Sequence, residues 1–330
     1  MQAQKPKTEN RKPKTELKAA ILAAGLGTRL RPLTYHLPKA LLPVLNRPLL
    51  ELLLEQLQAA GFTRVAVNTH HLAARVQRFL ADHRSPGLEI RLSHEPEILG
   101  TGGGLRGLGE VLGDGPFLAV NADVLTDVDL ENVYRRHQEG AISTLALHDY
   151  PAYNKVWVDR DRVVSIGSAP ADGVGRPLAY TGVQVVSPGI FRYLPAAGPY
   201  DLVAAWRQAM AAGERLEALV VTGHYWQDLG TPENYLAAHR RLLAHLPPNL
   251  APFFPQISDP LMGPGASVGE GVHFGGGVCL GPGVTVGDNA FLKNTVIMNN
   301  AVIAPGITLE DCLVGPGAKV AQSAWNQVLV

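Results

Sequence analysis

The chain has 330 residues, which suggests about two domains, and its 29 basic side chains equal its 29 acidic ones, so the net charge is zero. This balance argues against a general nucleic-acid binder, and no apolar run reaches the roughly 20 residues that span a membrane. Cys279 and Cys312 are too few for a disulfide framework or a cysteine-built zinc site, so we expect a cytoplasmic protein.

The first 18 residues form a charged segment with almost no apolar side chains. Six lysines and arginines stand there against Glu9 and Glu16. The segment lacks the hydrophobic stretch of a signal peptide, and its composition is typical of a solvated, disordered tail. A basic arm for an anionic partner is the alternative, and we expect the disordered tail at residues 1–18.

Between residues 19 and 246, short apolar runs alternate with helical patterns. Apolar runs without strict polar alternation, each followed by a helix, indicate parallel strands that are covered on both faces. This order predicts a Rossmann-like, doubly wound α/β domain with a mostly parallel sheet, whose ligands bind beyond the carboxyl ends of the strands. The predicted strands are 19–24, 65–68, 90–92, 117–120, 142–147 and 183–186, and the predicted helices are 49–60, 72–81, 130–138, 202–212 and 232–244.

The composition changes at residues 247–257, which contain four prolines. Because proline interrupts a helix, this segment is predicted to be a stiff linker. From residue 258 to 330, small apolar residues recur with a six-residue period, which slips once by one residue and resumes at residue 301. A hexapeptide period with Gly and Pro turns is typical of a parallel β-helix, in which each coil buries its apolar residue against the next. The residues that carry the period are Ala266, Val272, Val278, Val284 and Ala290, followed two places on by Val268, Phe274, Leu280, Val286 and Leu292.

A glycine-rich loop follows the first predicted strand. Its Gly25 and Gly27 allow backbone N–H groups to approach a phosphate closely, which is a weak signal on its own. The loop has neither the third glycine of a dinucleotide fingerprint nor the Gly-Lys-Thr of a P-loop.

The whole string around this loop resembles the sugar-1-phosphate nucleotidyltransferases. Gly-Leu-Gly-Thr-Arg-Leu-Arg-Pro-Leu-Thr at 25–34 and Pro-Lys at 38–39 are followed in the family's order by three further motifs, at 99–103, 121–123 and 226–231. The resemblance covers about residues 19–245 and is nearest to N-acetylmuramate-1-phosphate uridylyltransferases and mannose- or heptose-1-phosphate guanylyltransferases. Many members also carry a C-terminal hexapeptide β-helix, which implies a left-handed one here.

This resemblance implies that a sugar-1-phosphate oxygen attacks the α-phosphorus of an NTP and expels pyrophosphate. Positioning and charge neutralisation carry most of such a reaction. Loop amides from Gly25 through Gly27 to Thr28 are expected to hold the triphosphate, while the catalytic cations Arg29 and Lys39 offset its charge.

Two aspartates are the candidate metal ligands. Asp123 follows the predicted strand 117–120, and Asp228 stands before a predicted helix. Two carboxylates that meet over phosphates suit Mg²⁺, which takes few protein oxygens and keeps phosphate and water ligands. A helix cap or a turn is the structural alternative for each one. We expect Mg²⁺ as the cofactor.

The nucleobase is expected between two loops, with backbone groups at Leu22, Ala23 and Ala24 on one side. The resemblance places Glu95, Gly100 and Thr101 on the other side. A carboxylate at Glu95 accepts hydrogen bonds, which favours guanine with its two adjacent N–H donors over uracil with one. The next departure from the family pattern favours UTP, so the choice between UTP and GTP stays open.

The sugar site departs from the family pattern. Most members carry Glu-Lys-Pro where this chain has Ser-Ile-Gly-Ser-Ala-Pro at 165–170, and Tyr153-Asn154 stands where a glycine is usual. Muramate-type uridylyltransferases also lack the Glu-Lys pair. Asn154, Thr181 and Gly182 are the candidate sugar contacts, although 181–182 reads equally well as the start of a strand.

The sequence leaves two rival functions open, one suggested by these departures and one by the hexapeptide repeats. The chain could be a catalytically silent, nucleotide-sugar-binding homologue, although an intact phosphate loop and metal pair argue against this. Acyl transfer on the β-helix is a weaker rival. That chemistry usually uses a histidine as the base, and His273 is the one histidine in the repeats. The expected partners are an NTP and a sugar-1-phosphate, with a homo-oligomer formed through the β-helix or the catalytic domain.

Overall fold

The computed structural model describes residues 16–83 and 85–330. Residues 1–15 of the predicted basic tail lie outside the described residues. Lys18, the last residue assigned to that tail, instead opens the first strand and is buried. Its Nζ donates to the carbonyl of Leu112 at 3.2 Å and to the carbonyl of Asp114, so the charged end of the side chain ties the first strand to a later loop.

The five predicted helices are present in the structure, and a sixth helix, α3, was not predicted. Six of the thirteen residues of α3 are glycine, which disfavours a helix by about 1 kcal/mol per residue. In the described part of the chain, no helix has the length and hydropathy needed to cross a bilayer. The helices are α1 (Leu49–Ala59), α2 (Ala73–Asp82), α3 (Gly100–Leu112), α4 (Leu130–Arg135), α5 (Leu202–Ala211) and α6 (Pro232–Ala244).

The first domain contains thirteen strands. Nine of them form one sheet, and two pairs form small ribbons beside it. The strands are β1 (Lys18–Leu22), β2 (Pro43–Val44), β3 (Arg47–Pro48), β4 (Arg64–Thr69), β5 (Glu89–His94), β6 (Phe117–Asn121), β7 (Val124–Thr126), β8 (Ala141–His148), β9 (Val156–Asp159), β10 (Arg162–Ile166), β11 (Arg176–Val186), β12 (Arg215–Val220) and β13 (Trp226–Asp228).

The large sheet has the order β5-β4-β1-β6-β11-β8-β12-β10-β9. Strands β5, β4, β1 and β6 are parallel, whereas β11 runs antiparallel to both of its neighbours β6 and β8. The chain passes from β8 to β11 through the β9–β10 hairpin without a helical crossover, and antiparallel pairing needs no such crossover. The predicted Rossmann-like domain is confirmed, with an antiparallel strand in its centre that the sequence pattern did not predict.

Helices cover both faces of this sheet. Leucines of α3 and the buried side chains of α5 pack on one face, and leucines of α1 with Val133 of α4 pack on the other. Both clusters are almost completely excluded from solvent. This two-sided burial explains why the strands read as continuous apolar runs.

The C-terminal region forms a parallel β-helix with three sheets. Leu261 pairs with Cys279, so the first coil has three hexapeptides, whereas Cys279 pairs with Val296 and the second coil is one residue shorter. The shorter coil accounts for the slip in the sequence period, and the handedness stays a prediction. The strands are β14 (Leu261–Met262), β15 (Ser267–Val268), β16 (His273–Phe274), β17 (Cys279–Leu280), β18 (Thr285–Val286), β19 (Phe291–Lys293), β20 (Val296–Ile297), β21 (Val302–Ile303), β22 (Thr308–Glu310), β23 (Leu313–Val314), β24 (Lys319–Val320), β25 (Ala324–Trp325) and β26 (Val328–Leu329).

The predicted linker at 247–257 is packed between the two domains. Its Leu250 and Phe254 are buried in an apolar cluster that contains residues of both domains. Asn46, in the turn of the β2–β3 ribbon, donates from Nδ2 to the carbonyl of Leu280 at 2.9 Å. We call this the interdomain cluster; its members include Leu30, Leu33, Leu45, Leu49, Tyr235, Leu242, Leu250, Phe254, Leu261, Cys279, Val296 and Leu313.

Candidate active site

The segments after β1, β5 and β6, together with Asn68 of β4, enclose a cleft with a volume of about 270 Å³, which we call the first cleft. Its position beyond the carboxyl ends of parallel strands is where the sequence analysis expected ligands. Most of the predicted nucleotide contacts come together here. The lining residues are Leu22, Ala23, Ala24, Gly25, Lys39, Ala40, Asn68, Glu95, Ile98, Gly100, Thr101, Asn121, Ala122 and Asp123.

Asn68, near the end of β4, joins two loops of the first cleft, and the sequence analysis missed it. Its Oδ1 accepts hydrogen bonds from the amides of Ala23 at 2.6 Å and Ala24 at 3.2 Å. Its Nδ2 donates to Oε1 of Glu95 at 2.6 Å. The only available signal was its place at the end of a predicted strand, because the partners are distant in sequence.

Glu95 is 2% exposed and uses both carboxylate oxygens within the protein. Oε1 accepts from Asn68, and Oε2 accepts from the amide of Leu99 at 3.0 Å. A buried carboxylate is stabilised by such N–H donors. The preference for guanine that we expected from Glu95 requires its carboxylate oxygens to accept hydrogen bonds from the base. In the structure these oxygens accept hydrogen bonds from Asn68 and Leu99 instead.

The glycine-rich loop after β1 is held in place by Thr34 and His71. Gly27 has a φ of +62°, and its carbonyl accepts from Oγ1 of Thr34 at 2.8 Å. His71 in turn contacts the Thr34 carbonyl through Nε2 at 2.6 Å. Gly25 lines the first cleft, whereas Gly27 and Thr28 do not. The structure therefore gives Gly27 the role of shaping the loop.

Lys39 and Asp123 both line the first cleft and form an ion pair, with 2.6 Å between Nζ and Oδ2. Asp228 lies close by because β13 pairs with β7 and sets Asp228 opposite Val124. Nη1 of Arg29 is 3.9 Å from Oδ2 of Asp228. The structure thus brings together the two predicted cations and the two predicted metal ligands.

The two carboxylates fit a Mg²⁺ site. Oδ1 of Asp228 accepts from the amide of Gly230 at 2.8 Å, which orients the carboxylate, and the amide of Leu229 donates to the Asp123 carbonyl at 2.9 Å. Among residues 16–83 and 85–330, no cluster of three or more His, Cys, Asp or Glu side chains could hold a metal. Two hard oxygen donors beside an open cleft suit Mg²⁺, which keeps water and phosphate ligands.

A second cleft of about 390 Å³ adjoins the first and shares Asn121 and Asp123 with it. Aromatic rings form much of its wall, and Nε1 of Trp226 donates to the Thr181 carbonyl at 2.7 Å. The carboxylates Asp123 and Asp228 lie at the end where the two clefts meet. The lining residues are Arg29, Asn121, Asp123, Val124, Tyr153, Lys155, Val156, Ile166, Gly167, Tyr180, Gly182, Val203, Trp206, Arg207, Trp226 and Asp228.

Of the three predicted sugar contacts, the structure brings only Gly182 to the second cleft. Thr181 is fully buried, and its Oγ1 donates to the carbonyl of Ala146 at 2.8 Å. Asn154 closes a local turn, because its Oδ1 accepts from the amide of Tyr150 at 2.9 Å. Tyr153 and Lys155, the neighbours of Asn154 in the sequence, line the cleft in its place, as does Arg207.

Comparison with known families finds two matches that together cover most of the chain. The family described as "Nucleotidyl transferase" matches residues 18–245. The family described as "GMPPB C-terminal domain" matches residues 257–329.

Several curated proteins are similar in sequence. A UTP–glucose-1-phosphate uridylyltransferase of Synechocystis is 31% identical over 69% of this chain and 64% of the relative. A mannose-1-phosphate guanylyltransferase catalytic subunit beta of Danio rerio is 32% identical over 67% of this chain and 63% of the relative. The chain therefore spans less than two thirds of the length of these two relatives. An N-acetylmuramate alpha-1-phosphate uridylyltransferase of Neisseria meningitidis is 35% identical over 65% of this chain and 94% of the relative.

Solved structures share the fold at lower sequence identity. A UDP-glucose pyrophosphorylase from Acinetobacter baumanii aligns with a TM-score of 0.60 and 21% identity over 73% of this chain and 98% of that one. HddC from Yersinia pseudotuberculosis, complexed with GMP-PN, aligns with a TM-score of 0.58 and 22% identity over 67% of this chain and 97% of that one.

Proposed function

The chain belongs to the nucleotidyl transferase family, and from this premise we propose that it condenses an NTP with a sugar-1-phosphate and releases pyrophosphate. The observation that carries the proposal is the meeting of two clefts at Asn121 and Asp123. The first cleft would hold the nucleotide and the second the sugar, so that the two phosphates face each other beside the aspartates. Relatives named as uridylyl- and guanylyltransferases of sugar-1-phosphates support this assignment.

In the proposed reaction, an oxygen of the sugar-1-phosphate forms a bond to the α-phosphorus of the NTP. The bond from the α-phosphorus to the oxygen that bridges the α- and β-phosphates breaks, and pyrophosphate leaves. Arg29 and Lys39 would neutralise the negative charge of the assembled phosphates, which otherwise repel each other. Lys39 is already at the junction of the clefts through its 2.6 Å contact with Asp123. Its role is to hold the phosphates in line, since little covalent help is needed.

Asp123 and Asp228 would hold the Mg²⁺ ion. When bound, the ion would add positive charge beside the phosphates and polarise the phosphoryl oxygens. The amide of Gly230 keeps the Asp228 carboxylate oriented through its 2.8 Å hydrogen bond. Lys39 stabilises the Asp123 carboxylate until phosphates enter, after which it can turn to them.

The proposal leaves the nucleotide as UTP or GTP and the sugar as N-acetylmuramate, mannose or heptose. The test is pyrophosphate release with Mg²⁺ from each pairing of these substrates. Asp123→Asn should reduce kcat by at least about 100-fold in a folded protein, because the charge of one ligand is lost. Asp161→Asn, in the exposed β9–β10 turn, is the matched control.

Unchanged turnover in Asp123→Asn would contradict the metal assignment. A catalytically silent homologue is the second candidate, favoured by the departure at 165–170 from the Glu-Lys-Pro pattern. It predicts binding of a nucleotide sugar with no pyrophosphate release from any pairing.

A further inference from the structure

The second cleft contains two cations, Lys155 and Arg207, that the proposed reaction does not use. Both are exposed to solvent. The ion pairs among the described residues include neither of them. Two positive charges that face a cleft without a carboxylate partner are available to an anionic ligand.

Arg207 is held in place although its charge is unpaired. Its Nε and Nη2 both donate to the carbonyl of Ile166, at 3.2 and 3.0 Å, which fixes the guanidinium against the end of β10. The adjacent Gly167 makes room for it, because a Cβ at this position would lie 2.4 Å from Nη2. The guanidinium thus occupies the space that a side chain at 167 would fill.

Lys155 lies on the same rim of the cleft as Arg207. The amide of Gly167 donates to the carbonyl of Lys155 at 2.7 Å, which joins the start of β9 to the end of β10. The acidic residues that line the second cleft are Asp123 and Asp228, both at the junction with the first cleft. The rim that carries the two cations is therefore positive, and the junction carries the carboxylates.

The cationic rim and the junction are held by different parts of the sheet. Asp123 follows β6, which pairs with Val183–Val186 of β11, whereas Lys155 precedes β9, which pairs with Arg176–Leu178 of the same strand. Arg207 is attached to the end of β10, and β9 lies between β10 and β11. A ligand that contacts both the junction and Arg207 therefore extends across the cleft, as a sugar-1-phosphate with a ring substituent does.

We infer that Arg207 and Lys155 bind an anionic substituent on the sugar ring, so that the substrate is a sugar-1-phosphate with a second acidic group. The inference rests on the proposed function. An arginine presents a planar pair of N–H donors that matches a carboxylate, and Lys155 adds a second charge. The aromatic and aliphatic walls around this rim lower the local polarity and strengthen such a contact.

Two matched substrate pairs test the inference. N-acetylmuramate-1-phosphate is compared with N-acetylglucosamine-1-phosphate, and glucuronate-1-phosphate with glucose-1-phosphate; one member of each pair adds a carboxylate. The wild type should prefer the acidic member of at least one pair in kcat/KM. Arg207→Gln should lower kcat/KM for that member by about 10- to 100-fold, mainly through KM, and leave the neutral member within about threefold.

Further variants separate recognition from folding. Arg207→Lys keeps the charge and should recover part of the loss, and Lys155→Gln should show a smaller loss in the same direction. Arg162→Gln, on the same strand β10 but outside the cleft lining, is the control and should change neither substrate.

An equal fall for both members of a pair would assign Arg207 to the common 1-phosphate and overturn the inference. A wild-type preference for the neutral member of both pairs would also overturn it. If the wild type releases no pyrophosphate from any pairing, the proposed function fails separately. Calorimetric binding of UDP-N-acetylmuramate and UDP-N-acetylglucosamine to wild type and Arg207→Gln then decides the inference, since only the acidic ligand should lose affinity.

Discussion

The ion pair between Lys39 and Asp123 places a cation where the two clefts meet. Its Nζ–Oδ2 distance is 2.6 Å, and the lysine side chain is mostly buried. We expect Lys39→Met to lower kcat/KM for the NTP by about 100- to 1000-fold, because a charge aimed at the phosphates is removed. Steady-state kinetics with saturating sugar-1-phosphate measures this, and Lys319→Met on the exposed β-helix surface is the control. A fall below tenfold would contradict the role of Lys39.

Glu95 gives a second test at the scale of single residues. Its two oxygens accept hydrogen bonds from Asn68 and from the Leu99 amide. Glu95→Gln replaces one of these oxygens with an NH2 group, which cannot accept the hydrogen bond. The variant should lose about 1–3 kcal/mol of unfolding free energy. Its kcat/KM should fall by the same factor for UTP and for GTP. Denaturant unfolding and kinetics with both nucleotides measure these effects, and a fall confined to one nucleotide would show that Glu95 reads the base directly.

Helix α3 shows how glycine serves packing at the scale of an element. A Cβ at Gly104 would lie 2.6 Å from Nδ2 of Asn68 and 2.8 Å from Oε1 of Glu95. Gly104→Ala should therefore lower Tm and raise KM for the NTP, although alanine favours a helix by about 1 kcal/mol. Gly107→Ala, on the same helix, meets only Ser93 Oγ at 3.1 Å and should keep Tm or raise it. Equal effects of the two substitutions would contradict this account.

Helix α6 joins the β2–β3 ribbon through a buried histidine. Nε2 of His239 accepts from the amide of Leu45 at 3.2 Å, and Nδ1 donates to the carbonyl of Tyr235 at 2.9 Å, so the ring is neutral. Burial lowers the pKa of His239 to about 4. In the unfolded chain His239 binds a proton near its ordinary pKa of 6.5, whereas in the folded protein it stays neutral down to about pH 4. The contribution of neutral His239 to the unfolding free energy is therefore full above pH 6.5 and is lost as the pH falls to 4.

We therefore expect His239→Gln to flatten the decrease in unfolding free energy between pH 6.5 and 4. Denaturant unfolding at several pH values measures the slope. His273→Gln, at an exposed position of the β-helix, should leave the slope as in the wild type. An unchanged slope in His239→Gln would contradict the assignment.

The whole molecule is joined by the interdomain cluster, in which Leu313 of the β-helix packs with leucines of the first domain. Leu313→Ala should cost about 2–5 kcal/mol and lower amide protection in α6 as well as in the β-helix. Ile303→Ala removes a side chain buried only among β-helix residues and should leave α6 protected. Hydrogen exchange measures both. Loss of protection confined to the β-helix in Leu313→Ala would show that the domains unfold independently.

Much of the architecture could be predicted from sequence because burial imposes a local period. The run at 117–120 is apolar throughout because β6 is buried on both faces, and the six-residue repeat reports the inward position of each coil. The glycine-rich loop after β1, Lys39 and Asp228 could likewise be predicted to line the clefts, since each belongs to a contiguous motif. Helix α3 could not, because its glycines oppose the helix they occupy and are explained only by the neighbours they admit.

The amino-acid sequence by itself determined the two domains, their order and the motifs that line the two clefts, because these follow from patterns within a few neighbouring residues. Only the tertiary structure decided that Asn68 holds the loops of the first cleft and that Thr181 faces the core. It likewise decided that Lys155 and Arg207 share one rim. Each of these depends on contacts between elements that are distant in the chain, and the folding of the sheet alone brings those elements together.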